Sequence, residues 1–595
     1  MQKTTFGLAL LAVLPCNAGD WRPAENTLTT PWTAQVRADA VLPEYPRPQM
    51  VRASWTNLNG LWDYALTNKE ARPTTYDGSI LVPFPIESAL SGVKRPVSSG
   101  QQLWYRRTFN APELNGGRLL LHFGAVDWRT RVYVNGAAVG EHQGGYDAFT
   151  CDITKALKPS GPQELVLAVW DPADSGLQPR GKQVSTPKGI WYTSVTGIWQ
   201  TVWMERVPLA YINRLALTPD PDRARLSIRV ETFAPEQFTA VVRLNGKEVS
   251  RVSGITNIET AIPIAQPQLW SPDSPTLYDL EVSLASGDTV KSYFGMRKIE
   301  LRKDTAGLNR LFLNGASLFQ IGPLDQGWWP DGLYTAPTDE ALRSDIEALK
   351  KLGFNMMRKH VKVEPARFYY WCDRLGLMVW QDMPSATTGD PLTKIPRGSA
   401  FDGVLDPVST AEFERELRSM MRNLGNAPSI VAWVPFNEGW GQHDTNEILD
   451  MVRRLDPSRL VDGPSGWEDR GYGDMKDMHA YPGPDMFPIV EGRASVLGEF
   501  GGLGFPVSGH LWWTDKRNWG YRTLPTQDAL RAAYEDLIAK LMPLAAKGLA
   551  AAIYTQTTDV EGEVNGLMTY DRRVMKFDVA KMFEVHRKLI AAGSK

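Results

Sequence analysis

At 595 residues the chain is too long for one hydrophobic core and divides into roughly three or four domains. A formal charge of -2, from 65 basic against 67 acidic side chains, supplies no basic field, which excludes nucleic acid and anionic membrane surfaces as partners. The 21 tryptophans exceed ordinary usage and suit a protein that stacks indoles on sugar rings, beside their ordinary use as core filler.

The chain opens like an export signal: Lys3, an apolar stretch over 6–14, then Cys16, Asn17 and Ala18 as a small-residue cleavage site. A signal peptide over 1–18 predicts a periplasmic or extracellular protein, and the stretch is too short to span a bilayer. After cleavage only Cys151 and Cys372 remain, so no disulfide framework is expected. From 19 to 207, short β-rich runs such as RLLLHF (118–123), RVYV (131–134) and ELVLAVW (164–170) lie between turn residues, the pattern of an all-β sandwich. Asn135-Gly136 marks a tight hairpin, because both positions accept positive φ. From 208 to 299, ARLSIRV (224–230) and LYDLEV (277–282) alternate apolar and polar residues, which suits an immunoglobulin-like sandwich.

From 300 to 595 strands alternate with amphipathic helices. Thr338 is placed to cap a helix carrying Leu342, Ile346, Leu349 and Leu352, and Gly353 ends it. Candidate strands fall at 318–321, 355–358, 377–381, 430–436, 459–461, 477–480, 495–498 and 551–555. Eight of them make a (β/α)₈ TIM barrel, whose active-site face gathers the C-terminal ends of its strands. Two apolar runs end there on carboxylates: IVAWVPFNEGW (430–440) presents Glu438 and SVLGEF (495–500) presents Glu499. A buried strand has no structural use for an ionisable end, and a paired nucleophile and acid is what sugar cleavage requires.

The order sandwich, immunoglobulin-like unit, barrel, with WTNLNGLW (55–62), VPFPIE (82–87), WYRRTF (104–109), GIWQTVW (197–203) and FGMR (294–297), resembles glycoside hydrolase family 2, which includes β-galactosidases, β-glucuronidases and β-mannosidases. The resemblance implies a retaining exo-β-glycosidase acting on an oligosaccharide or other glycoside. It makes Glu438 the acid/base, Glu499 the nucleophile and Asn437 the residue that holds the sugar 2-hydroxyl. β-Galactosidase leads because it is common in the family, with β-glucuronidase as the alternative and a non-catalytic carbohydrate binder as the reading of another class.

Further candidates follow from position. Tyr481 and His479 share a strand face in DMHAYP (477–482), and the resemblance implies that a tyrosine near this point, Tyr481, hydrogen-bonds the nucleophile. Arg358 and His360 share a face in NMMRKH (355–360), where an arginine would orient Glu499. Asp325, Trp328, Trp329 and Asp331 follow strand one as a candidate sugar subsite. Gln381 and Asp382 end strand three, where Asp382 either lines the pocket or caps the next helix. Tyr554 and Gln556 stand where many members carry a tryptophan floor, and Asp559 and Glu561 follow strand eight. The Asn-any-Lys element that grips a uronate is absent after strand eight, where Asn565 precedes Gly566 and Leu567; Lys359 or Lys362 is the substitute cation. No metal motif occurs and no cofactor is expected. The residues leave the oligomeric state open.

Overall fold

A computed structural model describes residues 21–385 and 395–595; the expected leader at 1–18 lies outside the described residues. Toward the N-terminus a six-stranded sheet (Gly78–Val82, Gly60–Asn68, Gln101–Phe109, Gln163–Trp170, Arg129–Val134, Ala137–Gln143) faces a four-stranded one (Trp55–Asn57, Val202–Val207, Arg118–Phe123, Phe149–Asp152). Alternation along each strand sends Trp62, Leu103, Leu165 and Val132 from one sheet and Leu119, Leu121 and Met204 from the other into a shared core. Asn135 and Gly136, at φ 50° and 82°, turn the hairpin between Arg129–Val134 and Ala137–Gln143. A second sandwich packs Arg214–Asp220, Arg225–Glu231 and Thr260–Pro263 against the four-stranded sheet Lys247–Ile255, Gln237–Leu244, Tyr278–Leu284 and Thr289–Phe294, again through one core. Cys151 and Cys372 are buried free thiols.

The barrel strands are β1 (Gln320–Asp325), β2 (Met356–Lys359), β3 (Met378–Asp382), β4 (Ile430–Val434), β5 (Leu460–Val461), β6 (Met475–Ala480), β7 (Ala494–Gly501) and β8 (Leu549–Thr555). They form one parallel sheet in the order β5-β4-β3-β2-β1-β8-β7-β6. The end strands β5 and β6 are joined through Asp474, whose N–H donates to Val461 O and whose carboxylate accepts from Val461 N, each at 2.8 Å. Around the sheet run α1 (Asp339–Lys351), α2 (Ala366–Leu375), α3 (Pro407–Leu424), α4 (Thr445–Leu455), α5 (Gln527–Lys547) and α6 (Val579–Gly593). Helix α1 begins where Thr338 accepts from Ala341 N, and its apolar stripe of Leu342, Ile346 and Leu349 is buried. No helix follows β5 or β6, so 462–474 and 481–493 run as irregular chain across the C-terminal face. None of the described helices is long and apolar enough to cross a membrane.

A three-stranded antiparallel sheet (Ile299–Lys303, Asn309–Leu313, Ala316–Ser317) closes the other end of the barrel, where Ile299, Leu311 and Leu313 pack on Leu324, Met356, Met378, Val431 and Val496. Arg297, at the exit of the second sandwich, fastens that end. It donates to the carbonyls of Pro428, Ile430 and Ser458 at 3.0, 2.7 and 2.9 Å, and burial, with Arg459 nearby, lowers its pKa to about 9. Arg297→Met leaves three carbonyls without this donor, so a loss of about 2–4 kcal/mol is expected in denaturant unfolding, with kinetic constants of the folded fraction unchanged.

Candidate active site

Glu438 lies just beyond β4, in the left-handed region at φ 52°, with its N–H bonded to Ser465 O at 3.0 Å. Such a φ is uncommon outside glycine and turns the side chain out of the strand direction into the pocket. Glu499 sits inside β7, which runs on to Gly501, at an irregularity of the ladders on both sides, between Met478 and His479 on β6 and between Leu497 and Phe500 on its own strand. A bulge of this kind re-aims one side chain without ending the strand. Carboxylate oxygens of Glu438 and Glu499 lie within 4.8 Å of each other, with His479 Nδ1 between them at 2.7 Å from Glu438 and 3.5 Å from Glu499.

Arg358, wholly buried on β2, ties four strands together. Nε and Nη2 donate to Asp382 at 3.0 and 2.9 Å, Nη2 donates to Asn437 Oδ1 at 2.7 Å, and Nη1 reaches Glu499 at 3.3 Å. Burial works against the guanidinium charge, but Asp382 and Glu499 outweigh it and hold the arginine protonated. Burial likewise works to neutralise Glu499; positive charge around it, Arg358 and Lys182 included, outweighs burial and holds the carboxyl below its ordinary pKa. Tyr481 donates to Glu499 Oε2 at 2.6 Å, and burial with the Glu499 charge pushes its own pKa up, so it stays a donor. Glu499 is thereby an ionised carboxylate held by two donors. Asn437 Nδ2 is buried with no partner among the described residues, a donor left for a ligand.

His360 points Nδ1 at Asp382 Oδ2 at 2.9 Å, and burial, then the charges of Lys182 and Arg358, lower its pKa and keep it neutral. Asp382 therefore orients Arg358 and His360; it does not cap the next helix, which Asp406 caps. Other expected residues have partners of their own. Asp325 is spent on Lys359 Nζ at 2.7 Å. Trp329 lies under Arg572, 3.9 Å from its ring centroid, and against Trp32, while Trp328 packs on Tyr192 and Tyr334; both indoles are core between barrel and sandwich. Asp331 accepts from Thr30 and Thr33. Tyr554 turns outward onto Phe500 and Tyr534, because alternation along β8 sends it to the helix layer. Gln556 bonds Asn565, Gln381 bonds Tyr369, and Asp559 pairs with Lys576 at 2.6 Å. Lys359 and Lys362 both pair with Glu364, at 2.8 and 2.9 Å, which removes them as free cations.

Further residues, Lys182 and Tyr521 among those not read from the sequence, complete the pocket. The sandwich sends in the segment around Gln183–Val184, which pairs with Tyr192–Thr193 and docks on the loop after β8: Tyr192 Oη donates to Glu563 at 2.5 Å, and Thr193 N to Glu561 at 2.8 Å. Its Lys182 is 6% exposed, and its ammonium makes no hydrogen bond or ion pair among the described residues; it lies 5.7 Å from the Tyr192 ring and 6.0 Å from Trp440. Burial lowers its pKa, and Glu563, Glu499 and Glu438 oppose that. Aromatic walls come from Trp440 on Trp191 at 5.1 Å, Tyr521 stacked on Tyr481 at 3.6 Å, and Trp467 beside His479 at 5.7 Å. No local periodicity marks any of these residues. Glu438, His479 and Glu499 are the one group of metal-ligating type drawn together among the described residues; hydrogen bonding accounts for the cluster, and no metal is assigned to it.

Three family models match the chain: the sugar binding domain of glycosyl hydrolases family 2 over 74–208, the model described as glycosyl hydrolases family 2 over 210–297, and the family's TIM barrel domain over 335–477. Among curated relatives, a putative beta-glucuronidase of Formosa agariphila is 27% identical over 386 residues, 60% of this chain and 44% of that protein. A beta-galactosidase of Thermoanaerobacter pseudethanolicus is 28% identical over 385 residues, 60% of this chain and 48% of that protein. The chain thus spans about half the length of the curated relatives it matches. Among solved structures, the beta-D-glucuronidase of Dictyoglomus thermophilum superposes with a TM-score of 0.73 at 18% identity over 93% of this chain and 100% of that one. The beta-galacturonidase of Eisenbergiella tayi bound to galacturonate gives 0.68 at 18% identity over 91% and 99%. At such identities these two show a shared fold.

Gly498 carries the bulge. A Cβ there would stand 2.1 Å from an Asp477 carboxylate oxygen, so the glycine is the space that carboxyl occupies. Gly498→Ala is expected to lower unfolding stability by about 3 kcal/mol or more, and a thermal melt within 2–3 °C of the parent would refute the packing argument.

Proposed function

The chain belongs to glycosyl hydrolase family 2, and from that membership we propose that it is a retaining exo-β-glycosidase whose glycone is a β-linked uronic acid, a β-glucuronide first. The observation that carries the retaining mechanism is the approach of the two carboxylates within 4.8 Å, close to the about 5–5.5 Å of retaining enzymes and short of the about 6.5–9.5 Å that leaves room for water in inverting ones. Glu499, ionised and held by Arg358 and Tyr481, attacks the anomeric carbon, while Glu438 delivers its proton to the leaving oxygen. The glycosyl ester consumes the negative charge of Glu499. Glu438, now a carboxylate, takes a proton from water as that water attacks the anomeric carbon, and both groups return to their starting states. Asn437 Nδ2, the unpartnered donor beside Arg358, is placed for the 2-hydroxyl, a contact that strengthens as the oxocarbenium ion forms. A non-catalytic binder would have no use for an ionised carboxylate opposite a second one.

The β-galactoside expected first from the sequence yields to the uronide alternative on two grounds. Relatives carry both activities in their names, while the structural neighbours named here act on glucuronide or galacturonide. Lys182 supplies the second ground, as a cation free of ion pairs that faces the pocket and can meet the carboxylate that distinguishes a uronide from its parent sugar. Neighbouring Glu563 is already held by Tyr192 and by Asn565 Nδ2 at 2.9 Å.

On a panel of 4-nitrophenyl β-glucuronide, galacturonide, galactoside, mannoside and glucoside, release is expected from the uronides. It should fall by several orders of magnitude in Glu499→Ala, and azide should restore part of it in Glu438→Ala as a glycosyl azide; a folded parent that cleaves none of the panel sinks the reading. Lys182→Met is expected to lower kcat/KM for the uronides at least ~30-fold while moving the neutral glycosides less than ~3-fold. Equal loss on both classes would remove Lys182 from specificity and leave the glycosidase assignment standing.

A further inference from the structure

Behind Glu438 runs a chain of buried hydrogen bonds that the double displacement does not itself require. Glu438 Oε1 lies 2.7 Å from His479 Nδ1, His479 Nε2 lies 2.9 Å from Ser465 Oγ, and Ser465 Oγ lies 2.5 Å from Asp477 Oδ2. The other oxygen of Asp477 accepts from Gly498 N at 2.5 Å, next to the nucleophile in sequence. Beyond Asp477 stands Asp462, fully buried, with neither carboxylate oxygen hydrogen-bonded.

A serine hydroxyl has one proton, so Ser465 donates to His479 or to Asp477 and accepts from the other. An imidazolium would donate from both nitrogens and send the Ser465 proton to an ionised Asp477; a neutral imidazole satisfies the chain in two directions. In one, a protonated Asp477 donates to Ser465, Ser465 donates to His479 Nε2, and Nδ1–H donates to Glu438. In the other, an ionised Asp477 accepts, Nε2–H donates to Ser465, and a bare Nδ1 lone pair faces Glu438. The groups around His479 choose between them. Arg358 Nη1, which can only donate, lies 3.5 Å from Nε2, so Nε2 is the acceptor. Glu499 Oε2 lies 3.5 Å from Nδ1 and Glu438 Oε1 2.7 Å from it, so Nδ1 faces two carboxylates and is the donor. The Trp467 ring also lies beside it and carries no charge. Of the two buried carboxyls Asp462 and Asp477 at most one is ionised: burial and then the Asp462 charge raise the pKa of Asp477, and Arg358 opposes this without outweighing it.

We propose that Asp477, neutral and donating, sets the direction of this chain and so fixes His479 as the tautomer that holds Glu438 Oε1 through Nδ1–H. The transferable proton of Glu438 is then confined to Oε2, the oxygen left for the glycosidic bond. That proton passes from Oε2 to the leaving oxygen and returns to Oε2 from the attacking water, while His479, Ser465 and Asp477 keep their protons throughout. Ser465 and Asp477 are positioning residues. The backbone makes the arrangement rigid: Ser465 O accepts from Glu438 N, Ser465 N donates to Phe436 O at 3.0 Å, and Gly466, at φ 94°, leaves the room that the His479 ring fills, 3.0 Å from where a Cβ would stand.

The inference rests on Glu438 as acid/base and is independent of the glycone. In the full-length protein, Ser465→Ala and Asp477→Leu are expected to lower kcat/KM, which reports the glycosylation step, about tenfold or more on phenyl β-glycosides, which need protonation of the leaving oxygen, and less than ~2-fold on 2,4-dinitrophenyl β-glycosides, which do not. Asp477→Asn, whose amide donates where the neutral carboxyl does, should restore most of the loss. If the asparagine variant is as slow as the leucine one, or if all variants lose equally on both leaving groups, the proposal is overturned. A second readout needs no turnover. Burial and the Asp462 charge raise the folded pKa of Asp477, so the native state keeps a proton that the unfolded chain releases, and stability falls as pH rises above the ordinary carboxylate range. Asp477→Asn should flatten that fall between pH 5 and 8 in thermal melts, with a Tm at pH 8 equal to or above the parent's; a steeper fall or a lower Tm means that Asp477 is ionised. Loss of all turnover in the parent would overturn the reading of the function and leave this second result to decide the chain.

Discussion

The buried guanidinium of Arg358 is the constraint on which the site depends. Taking an arginine out of water costs several kcal/mol unless every donor is met, and here the donors are met by groups from β3, the end of β4 and β7 at once. The same contacts that hold the charge fix the Asp382 carboxyl, the Asn437 amide and the Glu499 carboxylate in one plane of reach. Removing any one of them leaves a buried charge short of a partner, so the arrangement is cooperative. The ionised state of Glu499 and the unpartnered Asn437 amide nitrogen are both consequences of how this cation is shared.

A second dependence runs between domains. The barrel presents the two carboxylates, but one wall of the pocket arrives from the N-terminal sandwich, held by Tyr192 on Glu563 and Thr193 on Glu561. Lys182 is thereby placed over a pocket built by strands more than a hundred residues later in the chain. Buried indoles and phenols, Trp199, Trp328 and Tyr334, fill the seam, which explains why so many tryptophans serve packing rather than sugar contact. Arg297 and the small sheet at the opposite end anchor the second sandwich to the starts of the strands, so both ends of the barrel are braced by β domains.

The sandwiches, the eight barrel strands and helix α1 were legible because burial imposes a period: two along Leu226, Ile228 and Val230, three to four along Leu342, Ile346 and Leu349. Glu438 and Glu499 were legible because a carboxylate that ends an apolar run contradicts that same rule. The rule does not reach the candidates after β1 and β8. A polar or aromatic side chain in a loop reads the same whether it faces a ligand, as Tyr481 faces Glu499, or an ion pair and a domain seam, as Asp325 and Trp329 do.

By itself, then, the amino-acid sequence determined the three-part β, β, barrel architecture and the two carboxylates at its centre, because hydrophobic periodicity and its violations are local properties of a chain. Only the tertiary structure decided the distance between those carboxylates, the sharing of Arg358, the arrival of Lys182 and the line from Glu438 through His479 and Ser465 to Asp477. These are contacts between residues tens to hundreds of positions apart, and the energy of a hydrogen bond or a buried charge depends on what lies within a few ångströms in space, a quantity that no local pattern carries.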